Sequence, residues 1–243
     1  MHDMELFWNT IAEYNRNTWV LQAATVLVGA LLVILLFHRP TRAVKRAMKC
    51  YIVLLNIWIA VVYYLCFCRE RPYYWATAFI WAIMAAIWVY DAVTGYTAFE
   101  RNRRHERTGV LFMLLPLAFP IISAARGMHF PMVASSVMPS SVALFTIGFM
   151  LAFSKRVNLF ILLFLCHWSI VGVSKIYCYD IPEDALLACA IVPAIYIFLR
   201  EYVSTNMSEH SKPDPKTANI LIVALCAATG ILFAAIIAQP LLQ

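Results

Sequence analysis

The chain has 243 residues, of which 63% are hydrophobic and only 13% are charged. A soluble domain carries about 25% charged residues, so this composition excludes an ordinary soluble fold. The apolar residues fall in runs of about twenty, long enough to cross a bilayer, and they lack the alternation of a transmembrane barrel. The sequence therefore predicts an all-α polytopic transmembrane helical bundle whose first partner is the lipid bilayer.

Residues 1–17 predict a short amphipathic helix at the membrane surface. Leu6, Phe7, Ile11 and Tyr14 fall near one helical face, and acidic or amide side chains lie off that face. This pattern is typical of an interfacial helix. Its acidic start does not fit a signal peptide. We therefore interpret it as an anchor that precedes the first span.

The transmembrane domain is predicted to occupy residues 18–243 and to contain eight spans. Pro116 and Pro120 interrupt the fourth span, and Pro139 begins the fifth, so these two are the least regular. The predicted spans are 18–37, 48–67, 73–96, 108–125, 138–154, 157–175, 184–200 and 218–239.

The basic residues test this count, because cytoplasmic loops carry an excess of arginine and lysine. With eight full spans, 14 of the 19 basic residues lie on one side and 5 on the other. If residues 138–154 instead entered and left by the same face, the split would be 10 against 9. The sequence thus favours eight spans with both termini outside the cytoplasm. On this interpretation the basic residues behind the net charge of +6 set the orientation of the protein in the membrane, and nucleic acid is not an expected partner.

The cysteines give no definite site. Cys66, Cys68 and Cys178 lie on the predicted outer side, where a disulfide can form, but no spacing requires one. Cys66, Cys68 and His129 are a weak candidate metal set, because the chain has no Cys-x-x-Cys or His-x-x-x-His pair. We expect no metal and no cofactor.

The candidate site centres on the segment 126–149, which places two prolines, two serine pairs and a histidine between apolar runs. Pro139 suits the first turn of a helix, so Ser140 and Ser141 lie beside unpaired backbone N–H groups at the positive end of the helix dipole. Such a helix start can hold an anion or a carboxylate. The alternative, which we favour, is that Ser136 and Ser140 simply cap the helix.

Other polar residues of the spans are candidates for the same ligand site. His167 lies near the middle of its span, where an ionisable group is costly and indicates function by default, although a hydrogen bond between helices also explains it. Lys175 lies near the interface, where a lysine can reach water. Asp91 either pairs with an arginine of the loop 101–107 or binds a proton or cation. The remaining candidates are His129, Thr146 and Ser169.

Three segments carry a resemblance to a known family. They are residues 7–19, from Phe7-Trp8 to Trp19, then Gly127-Met-His129-Phe-Pro131 with 139–148, and then His167-Trp168-Ser169 to Gly172 with 181–184. Together they resemble the bacterial multi-pass membrane family called domain of unknown function 6064, in matching order over most of residues 5–200.

The resemblance implies a bacterial inner-membrane protein, but it implies no activity. The family pattern has Pro-Cys-Pro where this chain has Pro139-Ser140-Ser141. A thiolate in that position would invite metal or redox chemistry, and the serines provide neither. The family pattern also has tyrosine where this chain has Phe130.

Three function classes remain open on the sequence. The first, which we favour, is a transporter or channel for a small polar or anionic solute, with an outer-facing site at the start of the fifth span. The second is an accessory or sensor subunit that binds a membrane partner protein or a second copy of itself. The third is an enzyme that uses Ser140 or Ser141 with His167 or Lys175 as base. It is the least favoured, because no nucleophile motif accompanies the serines.

Overall fold

The structure, a computed structural model, describes residues 2–95, 97, 99–154 and 159–208. Those residues form an all-α fold with no β-strand, apart from an isolated bridge between Phe99 and Ser154. The helices are α1 His2–His38, α2 Arg42–Phe67, α3 Tyr74–Thr94, α4 Glu106–Ala125, α5 Pro139–Phe153, α6 Leu159–Tyr179 and α7 Ala185–Ser208.

Six of the described helices are long and apolar enough to cross a membrane, and α5 is shorter at 15 residues. The helices cover the first seven predicted spans, which confirms the helical bundle. The predicted eighth span, 218–239, lies outside the described residues. The predicted irregularities are confirmed as well, because Pro116 lies in a 3₁₀ turn within α4 and Pro139 is the first residue of α5.

Helix α1 is continuous from His2 to His38, so the predicted surface helix and the first span form one helix. The apolar face of its first turns is buried against the protein: Phe7, Ile11 and Tyr14 are all inaccessible to solvent. The ring of Phe7 stacks on that of Tyr179, with 4.7 Å between centroids. The start of α1 is therefore attached to the end of α6. Its position at a membrane surface stays a prediction.

Helix α5 occupies the centre of the bundle. Every side chain from Pro139 to Phe153 is buried except Phe145, which is half-buried. A helix that is apolar all round is expected to be surrounded by protein. The hydroxyl of Tyr14 meets the chain at Val137, just before α5, and Phe153 at its other end packs against Phe37, with ring centroids 4.6 Å apart.

These contacts show that α5 runs through the bundle alongside α1, from one end to the other. Residues 139–153 therefore form one continuous helix and do not turn back on themselves. We call the two ends of the bundle the Arg126 end, where the loop 126–138 lies, and the Arg101 end, where residues 99–105 lie.

Helices α4 and α5 cross at backbone contact distance. A Cβ atom added to Gly109 would lie 2.6 Å from the backbone nitrogen of Ala152, and one added to Gly148 would lie 2.4 Å from that of Met113. Small residues allow two membrane helices to approach this closely. The crossing holds the central helix against α4 and thereby fixes where the start of α5 lies.

Candidate functional site

The loop before α5 is held by polar side chains of α1. The hydroxyl of Tyr14 donates to the carbonyl of Val137 at 2.6 Å. The amide of Asn15 donates to the carbonyls of Pro131 and Val133, at 2.8 and 2.7 Å. These bonds satisfy backbone groups that would otherwise be unpaired in an irregular segment. The start of α1 thus determines the path of the loop into α5.

A second set of bonds fixes the last turn of this loop through Ser135. The hydroxyl of Ser135 donates to Gln22 of α1 and accepts from the backbone N–H of Val137 at 3.0 Å. The hydroxyl of Ser141 donates to the carbonyl of Ser135 at 2.7 Å. Ser141 is therefore occupied as a hydrogen-bond donor and contributes to the loop rather than to a pocket.

The predicted serine cap is wrong. The residue that caps α5 is Met138, and no side chain makes a capping bond to the first turn. Ser136 therefore leaves the helix start uncapped. Ser140 does not cap it either, because it lies inside the first turn and its oxygen accepts a bond from another helix. The first amides of a helix have no intrahelical partner, so the start of α5 keeps its positive dipole inside the bundle.

Lys175 of α6 lies at this helix start. Its Nζ donates to Ser140 Oγ at 2.8 Å and lies 2.6 Å from Oδ2 of Asp184. The Lys175 side chain is 13% exposed and that of Asp184 is 3% exposed. The sequence predicted that Lys175 would reach water. It turns inward instead, because the Asp184 carboxylate compensates its charge within the protein.

A second buried group adjoins this one. Ser123 Oγ of α4 donates to Oε1 of Glu183 at 2.5 Å and accepts from the N–H of Ala134 at 2.9 Å. Arg126 Nη1 lies 3.6 Å from the other carboxylate oxygen of Glu183, and its Nη2 pairs with Asp180 at 2.5 Å. Glu183 itself is fully buried. This carboxylate joins the end of α4, the loop 126–138 and the turn before α7.

Two carboxylate oxygens of these groups, Oε2 of Glu183 and Oδ2 of Asp184, are inaccessible to solvent. Oδ2 of Asp184 is paired with the Lys175 ammonium at 2.6 Å. Oε2 of Glu183 is not hydrogen-bonded, because Arg126 Nη1 lies 3.6 Å away from it. A buried polar atom left without a hydrogen bond is costly, and in a native protein it calls for an explanation such as a ligand or proton site. We call Ser140, Lys175, Asp184, Glu183 and Arg126 the Lys175 cluster.

The buried ion pair at the Arg101 end is different, because the carboxylate of Asp91 is fully bonded. Lys49 Nζ donates to Oδ2 and to the carbonyl of Asp91, both at 3.1 Å. The N–H and hydroxyl of Thr97 donate to Oδ1 at 3.1 and 2.6 Å. Asp91 therefore pairs with Lys49 of α2, and not with an arginine of the loop 101–107. Because both carboxylate oxygens of Asp91 are hydrogen-bonded, we interpret this ion pair as structural.

The other predicted site residues do not join the Lys175 cluster. His167 is exposed on the outer surface of α6, whereas its neighbour Trp168 is buried. His129 is exposed in the loop. The hydroxyls of Thr146 and Ser169 are buried and each donates to the carbonyl four residues earlier in its own helix, both at 2.8 Å. The structure thus brings together Pro139, Ser140, Ser141 and Lys175 and leaves the remaining candidates apart.

The aromatic neighbours of Lys175 were not singled out from the sequence. Lys175 Nζ lies 5.6 Å from the centre of the Trp168 ring, and Trp81 meets Trp168 edge-on at 5.1 Å. The indole N–H groups of Trp81 and Trp168 are buried without an acceptor. Ser123, Glu183 and Arg126 were likewise missed as site residues. The only signal was the cluster of acidic residues after Pro182, which also suits an ordinary helix start.

The cysteines of the described segments are all free thiols, so Cys66, Cys68 and Cys178 form no disulfide there. Burial raises the pKa of Cys68 to about 11, which keeps this thiol protonated and unreactive at neutral pH. Within the same segments no three His, Cys, Asp or Glu side chains come together in a way that could hold a metal ion.

The model of one protein family matches residues 4–209, which is most of the chain. The chain belongs to the DUF6064 family. This is a family of unknown function, so membership supports the resemblance seen in the sequence without assigning an activity. No curated protein and no solved structure matches the chain.

The segments that carry the DUF6064 resemblance meet at the Arg126 end of the bundle. Asn15 of the first segment binds Pro131 of the second. Trp8 donates its indole N–H to the carbonyl of Tyr179, between the two parts of the third segment, at 3.2 Å. The third segment contributes Asp184, and Lys175 lies between its two parts. The three segments therefore contact one another at the end of the bundle that holds the Lys175 cluster.

Proposed function

We propose that this DUF6064 protein is an integral membrane transporter for a small anion, which binds at the start of α5. The observation that carries the proposal is Lys175, a largely buried lysine whose Nζ lies 2.8 Å from Ser140 Oγ at an uncapped helix start. A helix start supplies N–H donors and a positive dipole to an anion. Lys175 adds a full positive charge in the same place.

In the present state the amino group of Lys175 occupies the position that an anion would need. It contacts Ser140 and Asp184 directly, and Ser140 is only 2% exposed. An anion would take the place of Asp184 as the charge partner of Lys175 and accept hydrogen bonds from the first amides of α5. Binding therefore requires the turn before α7 to move away from α6.

The Arg101 end supports a transport cycle in which only one end opens at a time. Asp91 is held by Lys49 and Thr97, and Lys49 Nζ also lies 5.4 Å from the centre of the Phe99 ring. Breaking a buried ion pair is costly, so this end stays closed while the Lys175 cluster exchanges its partner. Alternating opening of the two ends around a central site is common in transporters.

We further propose that the Arg126 end faces the outside of a bacterial inner membrane. The segments 39–49 and 101–107, which include the first turns of α2 and α4 at the other end, carry nine arginines and lysines, against three in the segments 68–73 and 126–138. Basic loops stay in the cytoplasm. In a cysteine-free background, a membrane-impermeant maleimide should label Met132→Cys in intact cells and leave Arg103→Cys unlabelled. The reverse pattern would refute the orientation.

Anion flux in proteoliposomes tests the transport proposal. Vesicles with the full chain should release chloride, nitrate or formate faster than empty vesicles, and Lys175→Met should reduce the rate to that of empty vesicles. Arg46→Met is the matched control, because Arg46 is exposed at the other end of the bundle and its loss removes the same charge. A Lys175→Met protein that folds and keeps wild-type flux would overturn the proposal.

An accessory or sensor subunit is the second candidate, favoured by one observation. Lys175 contacts both Ser140 and Asp184 directly at the start of α5. A closed, charge-balanced cluster of this kind suits a protein that changes shape without passing a solute. No flux of any tested anion in sealed vesicles, together with a membrane partner protein that dissociates in the Lys175→Met variant, would support this candidate over transport.

A further inference from the structure

We infer that the anion binds together with one proton, and that Asp184 is the proton-binding residue. This inference rests on the proposed anion site and adds the coupling ion. Lys175 and Asp184 form a buried pair with no net charge, whereas Arg126 is 27% exposed and lies between Glu183 and the exposed Asp180. An anion added beside the buried Lys175–Asp184 pair introduces an uncompensated charge, which a low-dielectric interior tolerates poorly. One proton restores the balance.

Asp184 is the carboxylate that loses its partner when the anion arrives. Among the described residues, its ion-pair partner is Lys175, whose Nζ lies 2.6 Å from Oδ2. The buried phenols of Tyr63 and Tyr64 on α2 are titratable groups near its carboxylate, and Arg71 is the cation near those phenols. Once Lys175 turns to the anion, the Asp184 carboxylate is buried and unpaired, and protonation removes that cost.

Glu183 keeps its partners through the same exchange. Ser123 donates to it at 2.5 Å, and Arg126 lies 3.6 Å away from its second oxygen. Neither contact involves Lys175. Arg126 is in turn paired with Asp180, whose side chain is 72% exposed, so that pair lies toward water. Glu183 is therefore the neighbour that stays ionised, and Asp184 is the one that takes the proton.

The proton balance of the step is simple. A proton from the solution forms an O–H bond on the Asp184 carboxylate, and Lys175 remains an ammonium group that pairs with the anion. The complex holds one more proton and one more negative charge than the free protein, so its net charge is unchanged. Release of the anion returns Lys175 to Asp184, which gives the proton back to the solution on the side that is open.

Binding linked to pH tests the inference on the full chain in detergent. Chloride and formate are titrated at about pH 5.5 and about pH 7.5, where both anions keep their charge, and the change in Trp168 fluorescence is followed. If each anion binds with one proton, the Kd rises by about tenfold per pH unit, or about 100-fold over this interval. Trp168→Phe should abolish the signal and so identify its source.

Two further measurements make the outcome decisive. In weakly buffered solution at about pH 7.5, saturation with formate should take up about one proton per protein molecule. Asp184→Asn should bind both anions with the same Kd at both pH values, because its side chain cannot accept the proton. Gly172→Ala is the matched control, since its added Cβ would lie an ordinary 3.7 Å from Asp184 Oδ2, and it should keep the wild-type pH dependence.

The failures of the two proposals are distinguishable. Anion binding with the same Kd at both pH values and no proton uptake would overturn the inference and leave the anion site standing. An Asp184→Asn variant that keeps the wild-type slope would also overturn it and direct attention to Glu183. Absence of binding at either pH would overturn the anion site and the proton coupling together.

Discussion

The closest helix crossing offers a sharp test of the fold, through Gly148→Ala. The added Cβ would lie 2.4 Å from the nitrogen of Met113, 2.7 Å from the carbonyl oxygen of Gly109 and 2.8 Å from the carbonyl carbon of Phe112. All three are backbone atoms of α4, so no side chain can rotate away. The two helices must separate, and separation also disturbs their other contacts.

The magnitude follows from two opposing effects. Overpacking a well-packed core costs about 1–3 kcal/mol, and the upper end applies because backbone has to move. Alanine is favoured over glycine in a helix by about 1 kcal/mol, which offsets part of the cost. The net destabilisation is about 2 kcal/mol, which lowers the Tm of a chain of this size by about 4–8 °C.

Thermal unfolding in detergent, followed by circular dichroism, measures this change. Gly172→Ala is the control, because α6 also contains this glycine and its added Cβ would meet nothing closer than 3.5 Å. That variant should unfold at or a few degrees above the wild-type temperature. Equal Tm values for Gly148→Ala and Gly172→Ala would refute the close crossing of α4 and α5.

Three further substitutions test the assignment of roles. His167→Ala should change the unfolding free energy by less than about 0.5 kcal/mol and leave formate binding unchanged, because the side chain is exposed on the outer surface. A large loss of formate binding would show that His167 belongs to the site. Asp91→Asn should destabilise the protein by about 3–5 kcal/mol because it leaves the Lys49 ammonium buried and unpaired. The double variant with Lys49→Met should recover part of that stability in the same unfolding assay. Asn15→Ala should cost about 1–3 kcal/mol, because the carbonyl of Pro131 loses its buried partner, and it should speed proteolysis of the loop 126–138; unchanged proteolysis would contradict the role of Asn15.

The sequence predicts the helices well, because each is defined by its own apolar run. Length and hydropathy are local properties, and they locate α3 to α6 to within a few residues at each end. Helix α2 begins at Arg42 and α7 ends at Ser208, beyond the predicted limits of 48 and 200. The join between the first turns and the first span was not predicted. In the sequence, Phe7 and Tyr14 belong to the face of the first helix that was predicted to contact the membrane. In the structure they pack against Tyr179 and Tyr63, which come from distant parts of the chain.

The candidate site was only partly predictable, since it depends on how each helix is rotated about its axis. Lys175 and His167 lie on the same helix, yet one turns toward α5 and the other away from the protein. Hydropathy barely specifies that rotation in a helix that is apolar on nearly every side. For the same reason the sequence indicated an arginine of the adjacent loop as the partner of Asp91, whereas Lys49 reaches it from the neighbouring helix.

The measurement that tests the anion site most directly is a structure determined with bromide, which replaces chloride and can be located by anomalous scattering. We predict one strong bromide peak within hydrogen-bond distance of Lys175 Nζ and the first amides of α5, with Lys175 moved off Asp184. Lys175 still bound to Ser140 and Asp184 at saturating bromide, with no peak at the start of α5, would contradict the account.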